Sequence, residues 1–234
     1  MRAGARDIEL DVRKTRDDVL FLHHDETLDR TTSRSGLASS ATWSELSRSL
    51  LKHHNGRIAN EHPIRLLDAL SIAPRDTYFL LDSKDLSAVK AAVTETIKAG
   101  WHDRAAFIAY CISQAETVRE ILPTALIGLG ANDREKMHSI DQSNLELPIM
   151  GLMGSVAKPN AELMRLADSR GYFLLVGTYV GNPSLEEILS SDGFDDDIVR
   201  LQTRLTLWVT NEFPRIAEHL DYVDQRFELD SCAE

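Results

Sequence analysis

Short apolar runs recur along this chain, separated by stretches of helical periodicity. That rhythm constrains the fold more than any other feature. Strands joined by a helix-length connection pair in parallel, and the connecting helices pack on the sheet. The runs at 7–12, 77–81, 105–110, 124–129, 148–153, 172–178 and 205–210 read as strands, with 19–24 as an extra strand near the rim. Helical patterns fall at 42–50, 65–73, 85–99, 113–121, 132–139, 159–170, 184–190 and 194–202. Thr42 followed by Glu45 has the form of a capping box. Gly100 and Gly171 stand where the helices 85–99 and 159–170 close. Pro123, Pro148, Pro183 and Pro214 fall between elements, where proline is tolerated. There is no internal repeat, and 33–41 and 52–63 read as loops. A length of 234 residues suits one domain of α/β-barrel size or two small ones.

The chemistry concentrates near the start. In Asp7-Ile-Glu-Leu-Asp-Val-Arg13, Glu9 and Asp11 alternate with Ile8, Leu10 and Val12. On a strand this spacing puts both carboxylates on one face and the apolar groups on the other. Two adjacent acids repel each other and resist desolvation unless a positive group lies between them, and a hard cation is the simplest one. His23, His24 and Asp25 follow at the end of the next apolar run. Carboxylates, a histidine and strand ends together suggest a phosphate or metal site.

Charge narrows the partners. With 26 basic against 37 acidic residues the net charge is −11, which disfavours nucleic acid and anionic membrane surfaces. A small phosphate can still bind where a metal inverts the local field. Cys111 and Cys232 are far apart and form no disulfide framework; Cys111 is expected to be reduced and partly buried. No apolar run approaches the ~20 residues of a membrane span, and the start carries no signal-peptide core, so the chain as written is expected to be cytoplasmic. The acidic stretch Asp192–Asp197 lacks the alternation of a calcium loop and reads as solvated.

Gly4-Ala-Arg-Asp-Ile-Glu-Leu-Asp-Val-Arg-Lys-Thr15, then His24-Asp25, then Leu28-Asp-Arg-Thr-Thr32 with Gly36, resembles the glycerophosphodiester phosphodiesterase family. Phe79-Leu-Leu-Asp-Ser-Lys84 is similar to that family's strand bearing Glu-x-Lys. Ala106-Phe-Ile-Ala-Tyr110 matches its next strand, and Trp208-Val-Thr-Asn-Glu-Phe-Pro214 its terminal strand. The resemblance implies a TIM-type (β/α)8 barrel, with 1–234 one domain and 13–65 including a rim insertion. It also implies a divalent cation, Mg2+ or Ca2+, and hydrolysis of a small phosphodiester to an alcohol and glycerol 3-phosphate. Carried over by position, Glu9, Asp11 and Asp82 would be metal ligands. His24 would be an acid/base, Lys84 would steady the phosphate as a catalytic and substrate-binding group, and Trp208 would be a substrate-binding residue.

Two departures from the family pattern stand out. The third ligand is normally Glu, and here it is Asp82, one methylene shorter. The family also begins with a strand ending His-Arg-Gly and a helix entered through Glu-Asn-Thr, whereas this chain starts at the second strand. The expectation is therefore a barrel lacking its first strand–helix unit, with impaired activity and two strand edges open to pairing in a homo-oligomer. The alternatives are a catalytically degenerate phosphodiester-binding protein, or a related lyase or sugar-phosphodiester synthase of the agrocinopine type.

Plainer roles suit the other polar residues. His23 should point away from His24 and serve structure. Asp25 reads as a turn residue bonding a backbone amide, and Asp29–Thr32 as a loop held by a salt bridge and hydroxyl bonds. His53, His54 and His62 lack metal-ligand spacing and read as surface loop. Tyr179 and Trp208 also suit rim packing.

Overall fold

The computed structural model describes residues 6–131, 134–143, 149–155, 165, 167, 169–177 and 206–209. The chain divides into two compact units, one of Arg6–Ile127 and one of Gly128–Glu234 with Met1–Ala5.

The first unit is built on β1 (Asp7–Lys14). It pairs in parallel with β3 (Tyr78–Ser83), and β3 pairs in parallel with β4 (Ala105–Ala109). The short β2 (Leu20–Leu22) returns antiparallel against the far end of β1, Val12 opposite Leu22 and Lys14 opposite Leu20. A tight turn makes this hairpin. The Val19 amide donates to Thr15 Oγ1 (2.9 Å), and Asp18 takes a left-handed backbone with φ 62°. β5 (Leu126–Gly130) runs across the boundary between the units.

Register decides which side chains share a face. Glu9 pairs with Leu80, and Leu80 with Ala106; Asp11 pairs with Asp82, and Asp82 with Ile108. Registered neighbours in a parallel sheet point the same way. One face therefore carries Glu9, Asp11, Leu80, Asp82, Ala106 and Ile108. The other carries Phe79, Leu81 and Phe107, all buried. Phe79 meets Trp101 edge-on at 5.3 Å, which places helical cover on that second face.

The cover is α3 (Leu86–Lys98). Asp85 caps it, its side chain accepting from the Ala88 amide (2.8 Å). Ala88, Val89, Ala92, Val93 and Thr96 form its buried stripe. It closes as the sequence predicts. Gly100 has φ 72°, the Trp101 amide reaches the Thr96 carbonyl (3.0 Å), and the Gly100 amide reaches that of Ile97 (3.0 Å). This is a Schellman ending, in which only glycine adopts the left-handed step without strain. α2 (Leu66–Ile72) buries Leu66 and Leu70, and α4 (Ile112–Ile121) buries Ala115 and Val118.

The segment between β2 and α2 holds a small core of its own, with Phe21, Leu28, Ala38, Ala41 and Leu46 buried and Trp43 packed against them. Its helix, α1 (Trp43–Leu46), has both halves of the expected capping box but stops well short of residue 50. The residues beyond it pair elsewhere: Ser33 N–H donates to the Leu50 carbonyl (2.8 Å) and Leu50 N–H to Ser33 Oγ (2.9 Å). Cys111 also departs from expectation. It is exposed rather than partly buried, because β4 ends at Ala109 and Cys111 stands at the start of α4.

In the second unit, β6 (Ile149–Ser155), β7 (Phe173–Gly177) and β8 (Thr206–Val209) pair in parallel in that order. α5 (Arg134–Gln142) precedes them and buries Met137 and Ile140, one helical turn apart. Arg165, Ala167, Ser169 and Arg170 are helical, and Gly171 follows with φ 65°. The helices expected at 184–190 and 194–202, Tyr179, the 192–197 stretch and Cys232 lie outside the described residues. Trp208 falls within β8 as expected, and its side chain also lies outside the description.

Candidate active site

The shared face ends in a carboxylate cluster. Glu9, Asp11 and Asp82 each offer an oxygen, and these atoms lie within 4.8 Å of one another. The sheet produces this directly: Glu9 and Asp11 are two residues apart on β1, and Asp82 is the registered partner of Asp11 on β3. Lys84 lies two residues beyond Asp82 and continues the same face. Its Nζ contacts Asp11 Oδ1 at 2.7 Å and Asp82 Oδ2 at 2.6 Å. The Lys84 amide also donates to the Val12 carbonyl (3.2 Å), so the ladder continues past the formal end of β3 and holds that residue in line.

One cation faces three acids, and the imbalance falls on Glu9. Its burial, followed by the neighbouring charges of Asp11 and Asp82, pushes the carboxyl up to about 8. Burial works against the charge on Lys84, but hydrogen bonds to Asp11 and Asp82 outweigh it and hold the ammonium well above its usual range. A half-buried, all-oxygen set with too little positive charge fits a hard divalent cation. Glu9, Asp11 and Asp82 are the residues that could hold it, and the shorter side chain of Asp82 still reaches the cluster.

Tyr110 completes the group. It follows β4 by one residue and lies two past Ile108, the partner of Asp82, so the same register aims it at the cluster. Its hydroxyl donates to Asp82 (2.6 and 2.8 Å to the two oxygens) and lies 3.4 Å from Lys84 Nζ. Burial and the hydrogen bond to Asp82 push this phenol up. The family resemblance of 106–110 ended on Tyr110 without giving it a role; its offset of two from Ile108, once register is known, is what places it at the cluster.

The two histidines separate as expected. His23 is buried, stacks on Phe21 at 5.6 Å, and places Nε2 2.9 Å from the Thr27 carbonyl. Burial lowers its pKa. His24 is exposed, and the chain just before it is tied to β1, because the His23 amide donates to the Asp11 carbonyl (3.0 Å). Arg13 Nε donates to the His24 carbonyl (3.0 Å). The His24 ring places Nδ1 2.8 Å from Asp25 Oδ1. Asp25 binds side chains here rather than a turn amide: Arg30 donates to both its oxygens, at 2.6 and 2.8 Å. The hydrogen bonds from Arg30 hold its carboxyl well below the usual range. The rest of the 29–32 loop is held as the sequence suggests, with Thr32 Oγ1 donating to the Leu28 carbonyl (2.9 Å) and the Gly36 amide to Asp29 (3.1 Å). His53 and His54 are exposed, and His62 Nδ1 lies 2.7 Å from the Ser49 carbonyl.

Parallel βα units with clustered acids, a lysine and a tyrosine at the strand C-terminal ends define a class, the α/β proteins whose chemistry sits on that rim. Within that class the chain belongs to the glycerophosphoryl diester phosphodiesterase family, whose sequence model matches residues 1–203. A glycerophosphodiester phosphodiesterase from Bacillus altitudinis is 45% identical over 53 residues, covering 23% of this chain and 22% of that relative. The matched stretch therefore spans less than a quarter of that relative's length. Among solved structures, a glycerophosphoryl diester phosphodiesterase from Parabacteroides distasonis is similar with TM-score 0.71 at 19% identity, over 93% of this chain and 76% of that one. A glycerophosphodiester phosphodiesterase from Agrobacterium tumefaciens gives 0.70 at 18%, over 93% and 88%. An Oleispira antarctica phosphodiesterase in complex with the product sn-glycerol-3-phosphate gives 0.70 at 15%, over 96% and 87%. At these identities the likeness establishes the fold, α/β of the TIM-barrel type. Among the described residues, no helix is long and apolar enough to cross a membrane.

Proposed function

We propose that this chain is a metal-dependent phosphoric diester hydrolase that cleaves glycerophosphodiesters to an alcohol and glycerol 3-phosphate. The observation that carries the proposal is the registered cluster of Glu9, Asp11, Asp82 and Lys84 on one sheet face, in a chain of this family. A divalent cation, Mg2+ or Ca2+, held by the three acids supplies Lewis-acid polarisation of a phosphate oxygen.

The chain's own residues do the rest. Lys84 presents a positive charge beside the acids, where it neutralises charge developing on the phosphoryl oxygens. Tyr110 fixes the Asp82 carboxylate. His24 moves a proton through Nε2, because Asp25, held ionised by Arg30, accepts from Nδ1 and so assigns that nitrogen the hydrogen. Trp208 enters as a substrate contact on the family resemblance of its segment alone. We read 1–234 as one domain with a rim insertion over 13–65, supported by a family match across 1–203 and by the small separate core of that segment.

The test is release of glycerol 3-phosphate from glycerophosphocholine by the purified protein with Mg2+ or Ca2+. Release should stop on chelation, fall by roughly 10²- to 10⁴-fold in His24→Ala, and be lost in Glu9→Ala. Turnover indifferent to both substitutions would sink the site assignment.

A further inference from the structure

Arg30 is a cation on a rim loop, distant in sequence from the acids and outside the cluster they form with Lys84. It sends two parallel N–H bonds into the Asp25 carboxylate, Nε to Oδ2 (2.6 Å) and Nη2 to Oδ1 (2.8 Å). The Oδ1 that accepts from Nη2 also faces His24 Nδ1 at 2.8 Å. A fork-to-fork pair of this kind fixes the plane of the carboxylate as well as its position. The backbone of His24 is held separately, by Arg13 Nε on its carbonyl (3.0 Å). His24 is thus constrained from two sides: Arg13 fixes the main chain, and Arg30 fixes the ring through Asp25.

The exposure of these groups makes the arrangement informative. The side chains of His24 and Arg30 are 63% and 64% exposed, so packing does not orient the ring. An exposed imidazole without a partner samples its rotamers and both neutral tautomers, and free histidine favours the Nε2–H form. Here the acceptor at Nδ1 selects the opposite tautomer and leaves the Nε2 lone pair free. The Asp25 side chain is only 23% exposed and is gripped by a bidentate fork, so it is a fixed acceptor against which an otherwise exposed ring is ordered.

We propose that Arg30 is a positioning residue for His24: by clamping Asp25 it sets the Nδ1–H tautomer and ring orientation of the proton-transfer histidine. This deepens the hydrolase reading and rests on it for the role of His24. The geometric part stands without turnover.

The test uses Arg30→Met and Arg30→Lys in the full chain, with ring 15N spectra of His24 assigned by their loss in His24→Gln. The wild type should show the Nδ1–H tautomer. Arg30→Met should move His24 toward the Nε2–H form and lower kcat about 10-fold or more, a fraction of what the histidine itself supplies. KM should stay within about twofold. Arg30→Lys, which keeps the charge and loses the fork, should recover part of both. An unchanged His24 spectrum in Arg30→Met overturns the proposal. So does a raised KM with unchanged kcat, which would make Arg30 a substrate contact. If the wild type hydrolyses no glycerophosphodiester, the hydrolase reading fails, and the spectra alone still decide whether Arg30 positions His24.

Discussion

Lys84 shows how one residue can serve both stability and chemistry. Its ammonium lies between Asp11 and Asp82 while its side chain is mostly buried, and it is the counter-charge that keeps two facing strands of acid compatible. Removing one partner of such a pair leaves charge uncompensated and typically costs about 3–5 kcal/mol, less where solvent reaches the site, as it does at Asp11. Lys84→Met should therefore be destabilised by a few kcal/mol in urea unfolding. A divalent cation should restore part of that loss, so millimolar Mg2+ or Ca2+ should raise the Tm of the variant more than that of the wild type. Equal shifts in the two proteins would mean that the acids do not share the cation with Lys84. The sequence made Glu9 and Asp11 legible because a period of two on a strand puts both on one face, while Asp82 and Lys84 were legible only through the family resemblance of their segment. It could not show that Lys84 bridges two strands, or that Tyr110 joins them, because both facts depend on pairing register.

At the scale of elements, every strand expected from the apolar runs is present among the described residues, and β1 and β3 each run two residues further than expected. The shifts that matter run toward the site. β1 continues to Lys14 because it gains a hairpin partner, and β3 continues to Ser83, carrying Asp82 inside the ladder. Helix ends were legible where the signal was local, as at Thr42 and Gly100. The end of α1 was not, because the residues that follow it, such as Leu50, pair with a loop distant in sequence. Gly100 offers a clean test of the local kind. A Cβ there would meet nothing within 4 Å, so substitution acts only through the backbone, whose φ is 72°. Gly100→Ala should cost about 1–2 kcal/mol in denaturant unfolding with an unchanged m-value. A neutral result would mean that the Schellman ending does not constrain α3.

For the whole molecule, Glu9 couples stability to pH. Its carboxyl, ordinarily near 4.5, is raised to about 8 in the fold. A raised acid gives stability that is fully present below the unfolded value and is lost as pH rises through the folded one. The cation-free protein should therefore lose stability steadily between about pH 4.5 and 8, as read by Tm in chelator. Glu9→Gln should flatten that slope. Cation binding requires the ionised carboxylate, so it should release a proton near neutral pH, seen as a buffer-dependent heat in titration calorimetry. A pH-independent Tm in chelator would contradict the buried, acid-flanked setting of Glu9.

The β1–β2 hairpin has a consequence for how the site comes into being. Glu9, Asp11 and His24 lie on one short, continuous segment that folds back on itself through a tight turn. Contacts of that kind close quickly, because little chain entropy is lost in forming them. Asp82, Lys84 and Tyr110 are recruited from far along the chain, and parallel pairing with β1 is the slow, non-local step. Half of the site is thus encoded as a local folding unit. The other half reports that the sheet has formed, so the last ligand arrives only with the lysine that makes its charge tolerable.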